Sequence, residues 1–264
     1  MNPSTNQDIL CLDSLREALG DDGAEISLRV FREIDSTNSE AKRLAADGAS
    51  APALIVAESQ TAGRGRMGRS FYSPAQTGVY FSFLYQAASP LENAVTVTGA
   101  ASVAVMRAIR ALCGRQTQIK WVNDLYLDGK KVCGILAEAV SIANAAPQVI
   151  VGIGINLRTA DFPPELTQKA GSVGVEKTVR AELIAAVWRE LKPFLCDPFD
   201  ISWLSDYRAH SCVIGKPITW TRAGETFSGL AVGIDDSGAL EVRLPDGTAD
   251  YLRTGEISVT VDRG

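Results

Sequence analysis

A chain of 264 residues, 46% hydrophobic and 22% charged, has the composition of a folded globular protein and room for one large domain beside a small one. Its net charge of −5 runs against a general nucleic-acid binder, which carries a basic excess. Five cysteines (Cys11, Cys113, Cys133, Cys196 and Cys212) show no CxxC spacing; they read as reduced thiols rather than a disulfide framework or a zinc site.

The single histidine, His210, lies far in sequence from the glycine- and arginine-rich stretch described below. That argues against a Ser–His–Asp triad, a histidine zinc site or a phospho-relay, so chemistry here must rest on positioning and cations. Met1–Asp8 is polar and lacks a signal-peptide pattern, and no apolar run reads as long enough to cross a bilayer. The expectation is a soluble, cytoplasmic protein with no membrane partner.

Ile9, Leu12, Leu15 and Leu19 recur at helical spacing and Gly20 stops them, which predicts a helix over 8–19 in a short N-terminal extension, residues 1–25. Ile26–Ile34 reads as a strand, Asp35–Asn38 follows, and a helix is predicted from about Ser39 to Asp47 with Ala41, Leu44 and Ala45 inward. Thr37-x-x-Glu40 has the form of a capping box. Ser36 and Thr37 are therefore either that cap or hydroxyls that, with Asn38, meet a polar ligand group.

After the apolar run Ala53–Ala57, the stretch Gln60–Ser70 carries three glycines and three arginines in eleven residues, and no Asp or Glu occurs from Ser59 to Leu91. Glycines let backbone N–H groups approach an anion, and guanidinium forks suit phosphate oxygens. Gly63-x-Gly65-x-x-Gly68 spells the dinucleotide fingerprint, and Gly63-x4-Gly68-Arg69-Ser70 is one residue from a Walker A loop. Both motifs need a helix to start at the last glycine, whereas Pro74 and Val79–Tyr85 predict loop and then strand. A solvated arginine turn and an RGG-like nucleic-acid segment are alternatives; an ordered loop folding over a nucleotide is preferred.

Leu91–Leu112 predicts a long alanine-rich helix ending at Gly114. Gln118–Trp121 and Val122–Leu127 read as extended, with Asp128-Gly129 a type I′ hairpin signal before Lys130–Ala137. Lys120, between Ile119 and Trp121, is either a snorkelling lysine on a sheet edge or a cation facing a ligand. Gly134 marks a bulge or a close approach, and Gly152 and Gly154 interrupt the buried run Val149–Leu157 for packing or for ligand room. Asp161–Val175 reads as a linker, Lys177–Leu195 as a helix with Leu183, Ile184, Val187, Trp188 and Leu191 inward, and Trp203–Tyr207 as a short helix. From Ser211 onward, turn signals about ten residues apart indicate a small β-barrel.

Gly63–Arg69, Lys120-Trp-Val-Asn-Asp124, Gly134-Ile-Leu-Ala-Glu138 and Gly152-Ile-Gly-Ile-Asn156, with Asp35–Asn38 upstream and Gly255–Ser258 near the C-terminus, together resemble biotin protein ligases, in the same order and over roughly residues 31–261. The resemblance implies an α+β fold: a mixed β-sheet catalytic domain of the biotin/lipoate ligase type over 26–210 and an SH3-like β-barrel over 211–264. It implies ATP-dependent attachment of biotin to a specific lysine of a biotin carrier domain through biotinyl-5′-AMP, with Mg2+ accompanying ATP.

For biotin the resemblance implies Ser36, Thr37, Asn38, Gln60, Arg64, Gly65, Arg66, Lys120 and Gly134; for ATP, Arg64, Arg66, Arg69, Phe71, Lys120, Lys131 and Asn156. Lys120, Arg66, Arg69 and Asp124 are the catalytic candidates, and no metal ligand is assigned. The family often has tryptophan where Phe71 stands, which reduces stacking area. It usually has proline where Val122 stands, which loosens the backbone before Asn123-Asp124. Residues 8–19 are too short for the DNA-binding helix-turn-helix domain that some members carry, so DNA is not an expected partner; monomer and homodimer both stay open. Lipoate–protein ligation and a nucleic-acid-binding module are the competing functions. The first needs an apolar slot rather than polar groups such as Ser36, Thr37 and Asn38; the second is opposed by the acidic charge.

Overall fold

The computed structural model describes residues 10–49, 51–86, 94–140, 147–175, 180–197 and 199–259. Seven strands form a mixed sheet: β1 (Ser27–Ile34), β2 (Ala53–Gln60), β3 (Gly78–Gln86), β4 (Gln118–Lys120), β5 (Asp124–Leu127), β6 (Lys130–Val140) and β7 (Gln148–Asn156). Their order is β1-β2-β3-β7-β6-β5-β4. Only β1 and β2 run parallel; every other pair is antiparallel. Asp128 and Gly129 both take positive φ, 50° and 75°, as the type I′ turn between β5 and β6 requires.

Strand alternation assigns the two faces. Leu54, Val56, Phe81, Phe83, Val149 and Val151 point into the main core, against α4 (Ala94–Cys113) and α5 (Arg180–Cys196). Ile55, Leu84 and Ile150 point the other way and pack on Ala41, Leu44 and Ala45 of α3 (Thr37–Ala46). Along that second face the side chains shrink beyond α3. Ser82 pairs with Gly152, Tyr80 with Gly154, and Gly154 with Gly134. Gly134, Gly152 and Gly154 leave that face without side chains at their positions, which opens a shelf at the N-terminus of α3.

Several local expectations change in three dimensions. Helix α3 starts at Thr37, with Ser36 as an N-cap that makes no side-chain bond. No capping box forms, because Glu40 pairs with Arg43 and the Thr37 hydroxyl turns to Gln60 and Ser82. In α1 (Leu12–Leu19), Leu15 and Leu19 are buried, but Leu12 is 40% exposed; Ile9 lies outside the described residues, as do the predicted helical starts at 91–93 and 177–179. Contrary to the membrane expectation, Val95–Cys113 of α4 is long and apolar enough to cross a bilayer, with a mean hydropathy of 1.4. That segment is 72% buried between the sheet and α5, so its apolar character serves the core.

A second body follows the four-residue helix α2 (Asp22–Glu25), α5 and α6 (Trp203–Ala209) in chain order: β8 (Pro217–Arg222), β9 (Glu225–Ile234), β10 (Leu240–Arg243), β11 (Ala249–Leu252) and β12 (Ile257–Val259). These five antiparallel strands, ordered β11-β10-β9-β8-β12, form the SH3-like barrel. It is fastened to the large sheet by polar bonds. Trp121 Nε1 donates to the Gly238 carbonyl at 3.0 Å, and Arg208 Nε to that of Ile234 at 2.7 Å. His210 sits at this junction, its backbone carbonyl accepting from the Ile119 N–H, away from the shelf.

Candidate active site

The arginine stretch is a short hairpin-like flap over the shelf. Gly65 N–H donates to the Arg69 carbonyl at 2.7 Å and Phe71 N–H to that of Gly63 at 2.8 Å, with a single 3-10 turn at Arg66–Gly68 between. A Cβ on Gly63 would lie 2.4 Å from the Phe71 carbonyl oxygen, so the hairpin needs glycine there. Loop then strand is the observed order, and no α-helix begins at Gly68. The dinucleotide and Walker A readings fail on that geometry.

Two adjoining cavities lie beneath the flap, of about 440 and 600 Å³. In the first, Ser36, Thr37, Asn38 and Gln60 form a polar wall, Arg64 and Arg66 the roof, and Gly134, Gly152 and Gly154 the floor. The second opens toward the barrel and is bounded by Arg66, Arg69, Lys120, Asp124, Lys131 and Glu256. Gly65, Arg66, Phe71, Asn123 and Lys131 border both. The wall of the first cavity is neutral and hydrogen-bonding; that of the second is mostly cationic.

The polar wall is ordered by a continuous set of bonds. Thr37 donates from its N–H and its hydroxyl to Gln60 Oε1, at 2.9 and 3.2 Å. Gln60 Nε2 donates to Ser73 Oγ at 2.8 Å, and Ser73 Oγ to the Phe71 carbonyl at 3.0 Å. Ser82 Oγ lies 2.8 Å from Thr37 Oγ1 and 2.6 Å from Asn38 Oδ1. The floor glycines make room for these side chains in the first place. A Cβ on Gly152 would stand 1.9 Å from Asn38 Oδ1, and one on Gly154 2.5 Å from Phe71 Cε1.

The flap contains no acid, and its arginines find partners on distant elements. Arg64 is paired with Glu138 on β6, at 3.1 and 3.2 Å, while it also lines the first cavity. Arg66 Nη1 donates to Asn123 Oδ1 at 3.1 Å. Burial pulls its pKa down against the opposing charges of Asp124 and Glu256, but an arginine stays protonated. Arg69 makes a two-pronged bond to Glu256 just before β12, which holds its pKa above the usual value.

Lys131 Nζ lies 2.7 Å from Asp124 Oδ1. That ion pair and the pairing of β5 with both neighbours hold Asp124 in place despite Val122. Lys120 Nζ sits 5.5 Å from the centroid of Tyr126, a cation over an aromatic face; burial pushes the Tyr126 phenol up to about 12.

Every site residue read from the sequence borders one of the two cavities except Asn156. That side chain is on the same face of β7 as Gly152 and Gly154, beyond Phe71, and its buried Oδ1 has no hydrogen-bond partner. Asn123, Ser82, Ser73, Glu138 and Glu256 were not among the sequence candidates. A signal existed for four of them: Ser82 interrupts the apolar run Val79–Tyr85, and Asn123, Glu138 and Glu256 belong to the quoted motifs.

Residues 30–156 match the model of the "Biotin/lipoate A/B protein ligase family" and residues 213–259 that of the "Biotin protein ligase C terminal domain". The bifunctional ligase/repressor BirA of Bacillus spizizenii is 36% identical over 226 residues, 81% of this chain and 68% of that protein. The biotin–[acetyl-CoA-carboxylase] ligase of Paracoccus denitrificans is 35% identical over 228 residues, covering 81% of this chain and 92% of that one. Among solved structures, the biotin protein ligase of Aquifex aeolicus in complex with biotin and ATP aligns with a TM-score of 0.74 at 26% identity, over 89% of this chain and 98% of that chain. Carrying both family segments, one on each sheet, and relatives above 30% identity along most of its length, the chain belongs to the biotin protein ligase family.

Proposed function

We propose that the protein is an ATP-dependent biotin protein ligase, with residues 26–210 as the catalytic domain and 211–264 as the barrel, and that it modifies a lysine of a biotin carrier domain through biotinyl-5′-AMP. One observation carries this: a cavity with a neutral, hydrogen-bonding wall and a mostly cationic cavity meet at Arg66, Phe71 and Lys131. The first suits a ureido ring, which both donates and accepts. The second suits phosphates.

In the first step a biotin carboxylate oxygen attacks the α-phosphorus of ATP. The new P–O bond forms as pyrophosphate leaves, and the barrier is the approach of two anions. Arg66 and Lys131 at the shared border and Lys120 behind them neutralise and align the pair. Arg69 lines the phosphate side, its partner Glu256 coming from the barrel. Phe71 gives both ligands an apolar face. In the second step the carrier lysine's amine attacks the acyl carbon and AMP leaves; Asp124 orients that amine or takes its proton.

Magnesium is held through one or two carboxylates plus substrate phosphates in sites of this kind. Asp124, bordering the cationic cavity, is the carboxylate placed to hold it, both oxygens of Glu256 being engaged by Arg69, and the ion would supply further charge neutralisation at the phosphates. Among the described residues no cluster of three or more Asp, Glu, His or Cys side chains forms a dedicated cage.

The test is incubation with biotin, MgATP and a biotin carrier domain, followed by mass measurement of the carrier and a pyrophosphate assay. One biotinyl group per carrier and biotin-dependent pyrophosphate release are expected. Turnover with lipoate but not with biotin would refute the substrate assignment.

A further inference from the structure

Glu138 closes the Gly134–Glu138 stretch and has no role in the scheme above. Its side chain is only 17% exposed, and both oxygens are occupied. Oε1 accepts from Lys42 Nζ at 2.7 Å and Arg64 Nη2 at 3.1 Å; Oε2 accepts from Asn38 Nδ2 at 2.9 Å and Arg64 Nη1 at 3.2 Å. Lys42 alone would neutralise the carboxylate. The second cation comes from the flap, across 74 positions of sequence.

The Asn38 contact has a separate consequence. An ionised carboxylate only accepts, so it draws the amide's NH2 end and turns Oδ1 toward Ser82. From Ser82 the polar chain runs through Thr37, Gln60 and Ser73 to the Phe71 carbonyl. Both ends of the flap, Arg64 and Phe71, are thereby tied to one carboxylate, directly at one end and through the polar wall of the first cavity at the other.

We propose that Glu138 is a positioning residue for adenylation, gripping Arg64 to hold the flap over the acid while fixing the Asn38 amide that the acid's polar ring meets. This rests on the biotin ligase reading. An acid that satisfies Thr37 and Asn38 braces the same chain that holds the flap down, so recognition of the acid and retention of its adenylate are coupled. An acid that leaves those groups unsatisfied gains no such closure.

The test compares Glu138→Gln, Arg64→Gln, their double variant and Lys42→Gln with the wild type. In Glu138→Gln, pyrophosphate release without any carrier, which reports escape and hydrolysis of the adenylate, should rise at least about tenfold, the weight of one hydrogen bond to a charged group. The biotin KM should rise by a similar factor, while the single-turnover rate at saturating biotin stays within about twofold, since Lys120 and Arg66 are untouched. Arg64→Gln should lose adenylate retention to the same extent, the double variant should retain it no worse than either single, and Lys42→Gln should match the wild type.

Wild-type adenylate retention in Glu138→Gln, or effects that add in the double variant, would overturn the proposal. If Glu138→Gln does not fold, Arg64→Gln still decides: its guanidinium is at the flap surface, and unchanged retention there overturns the proposal as well. A wild type that releases no pyrophosphate with biotin would instead overturn the ligase reading.

Discussion

Replacing Gly154 by alanine would put a methyl group 2.5 Å from Cε1 and 2.8 Å from Cζ of Phe71, where ordinary contact begins near 3.4 Å. The backbone cannot yield easily, because Gly154 is paired with Tyr80 on one side and Gly134 on the other in the middle of the sheet. The ring must therefore rise by about 1 Å, and misplacement on that scale costs on the order of 100-fold in rate. Overpacking a closed core costs roughly 1–3 kcal/mol. Phe71 is only half-buried at the flap and can lift, so the stability loss should fall at the lower end, about 1 kcal/mol.

The combination is the signature: a large kinetic loss with a small shift in Tm. Pyrophosphate release measured against both biotin and ATP, with thermal denaturation of the same samples, reads the two effects separately. A kcat/KM within about twofold of the wild type would refute the role given to Phe71. So would a stability loss large enough to account for the missing activity. Gly152→Ala, which strikes Asn38 Oδ1 at 1.9 Å, should raise the KM for biotin more than that for ATP.

Lys120→Ala should remove roughly 2–4 kcal/mol of transition-state stabilisation, read as the single-turnover adenylation rate; a wild-type rate would remove Lys120 from the mechanism. Arg180, 1% exposed, is paired with Glu58 on β2, so Glu58→Gln removes one of the charges that this buried guanidinium meets and should lower the denaturation midpoint. An unchanged midpoint would show that other contacts of Arg180 carry its charge.

For Glu138, burial opposes ionisation, but hydrogen bonds from Lys42 and Asn38 and the charges of Lys42 and Arg64 outweigh it, and the pKa lies below the ordinary 4.5. A carboxylate depressed in the folded state contributes fully above its unfolded value and loses that contribution as pH falls through the folded one. Pepsin cleavage within 64–69 should therefore climb as pH drops below about 4.5. Glu138→Gln should flatten that dependence, and an identical profile in both proteins would count against the clamp.

Much of this molecule is legible without coordinates. The inner face of α5 follows from apolar spacing alone, with Leu183, Ile184, Val187, Trp188 and Leu191 all buried, and the β5–β6 turn follows from Asp128-Gly129. Loop and then strand after the flap was readable from Pro74 and the β-branched and aromatic run behind it. Each depends on interactions between residues a few positions apart. Helix α4 marks the limit of that approach: its apolar pattern fits a membrane span and a core helix equally, and only its burial between the sheet and α5 separates the two.

The chain alone determined that arginines and glycines crowd one acid-free flap and that a polar turn precedes α3. What holds the flap down was decided in three dimensions, by Glu138 and Glu256, which lie 74 and 187 positions from their arginines. The capping box failed for the same reason, since Ser82 and Gln60, brought near by the order of β2, β3 and β7, offered Thr37 other partners. Periodicity and turn chemistry act over a few residues and survive in any fold that uses them. Which charges meet, and which glycine faces which ring, depends on the order and register of the strands, and these are fixed only when distant segments bury their apolar faces together.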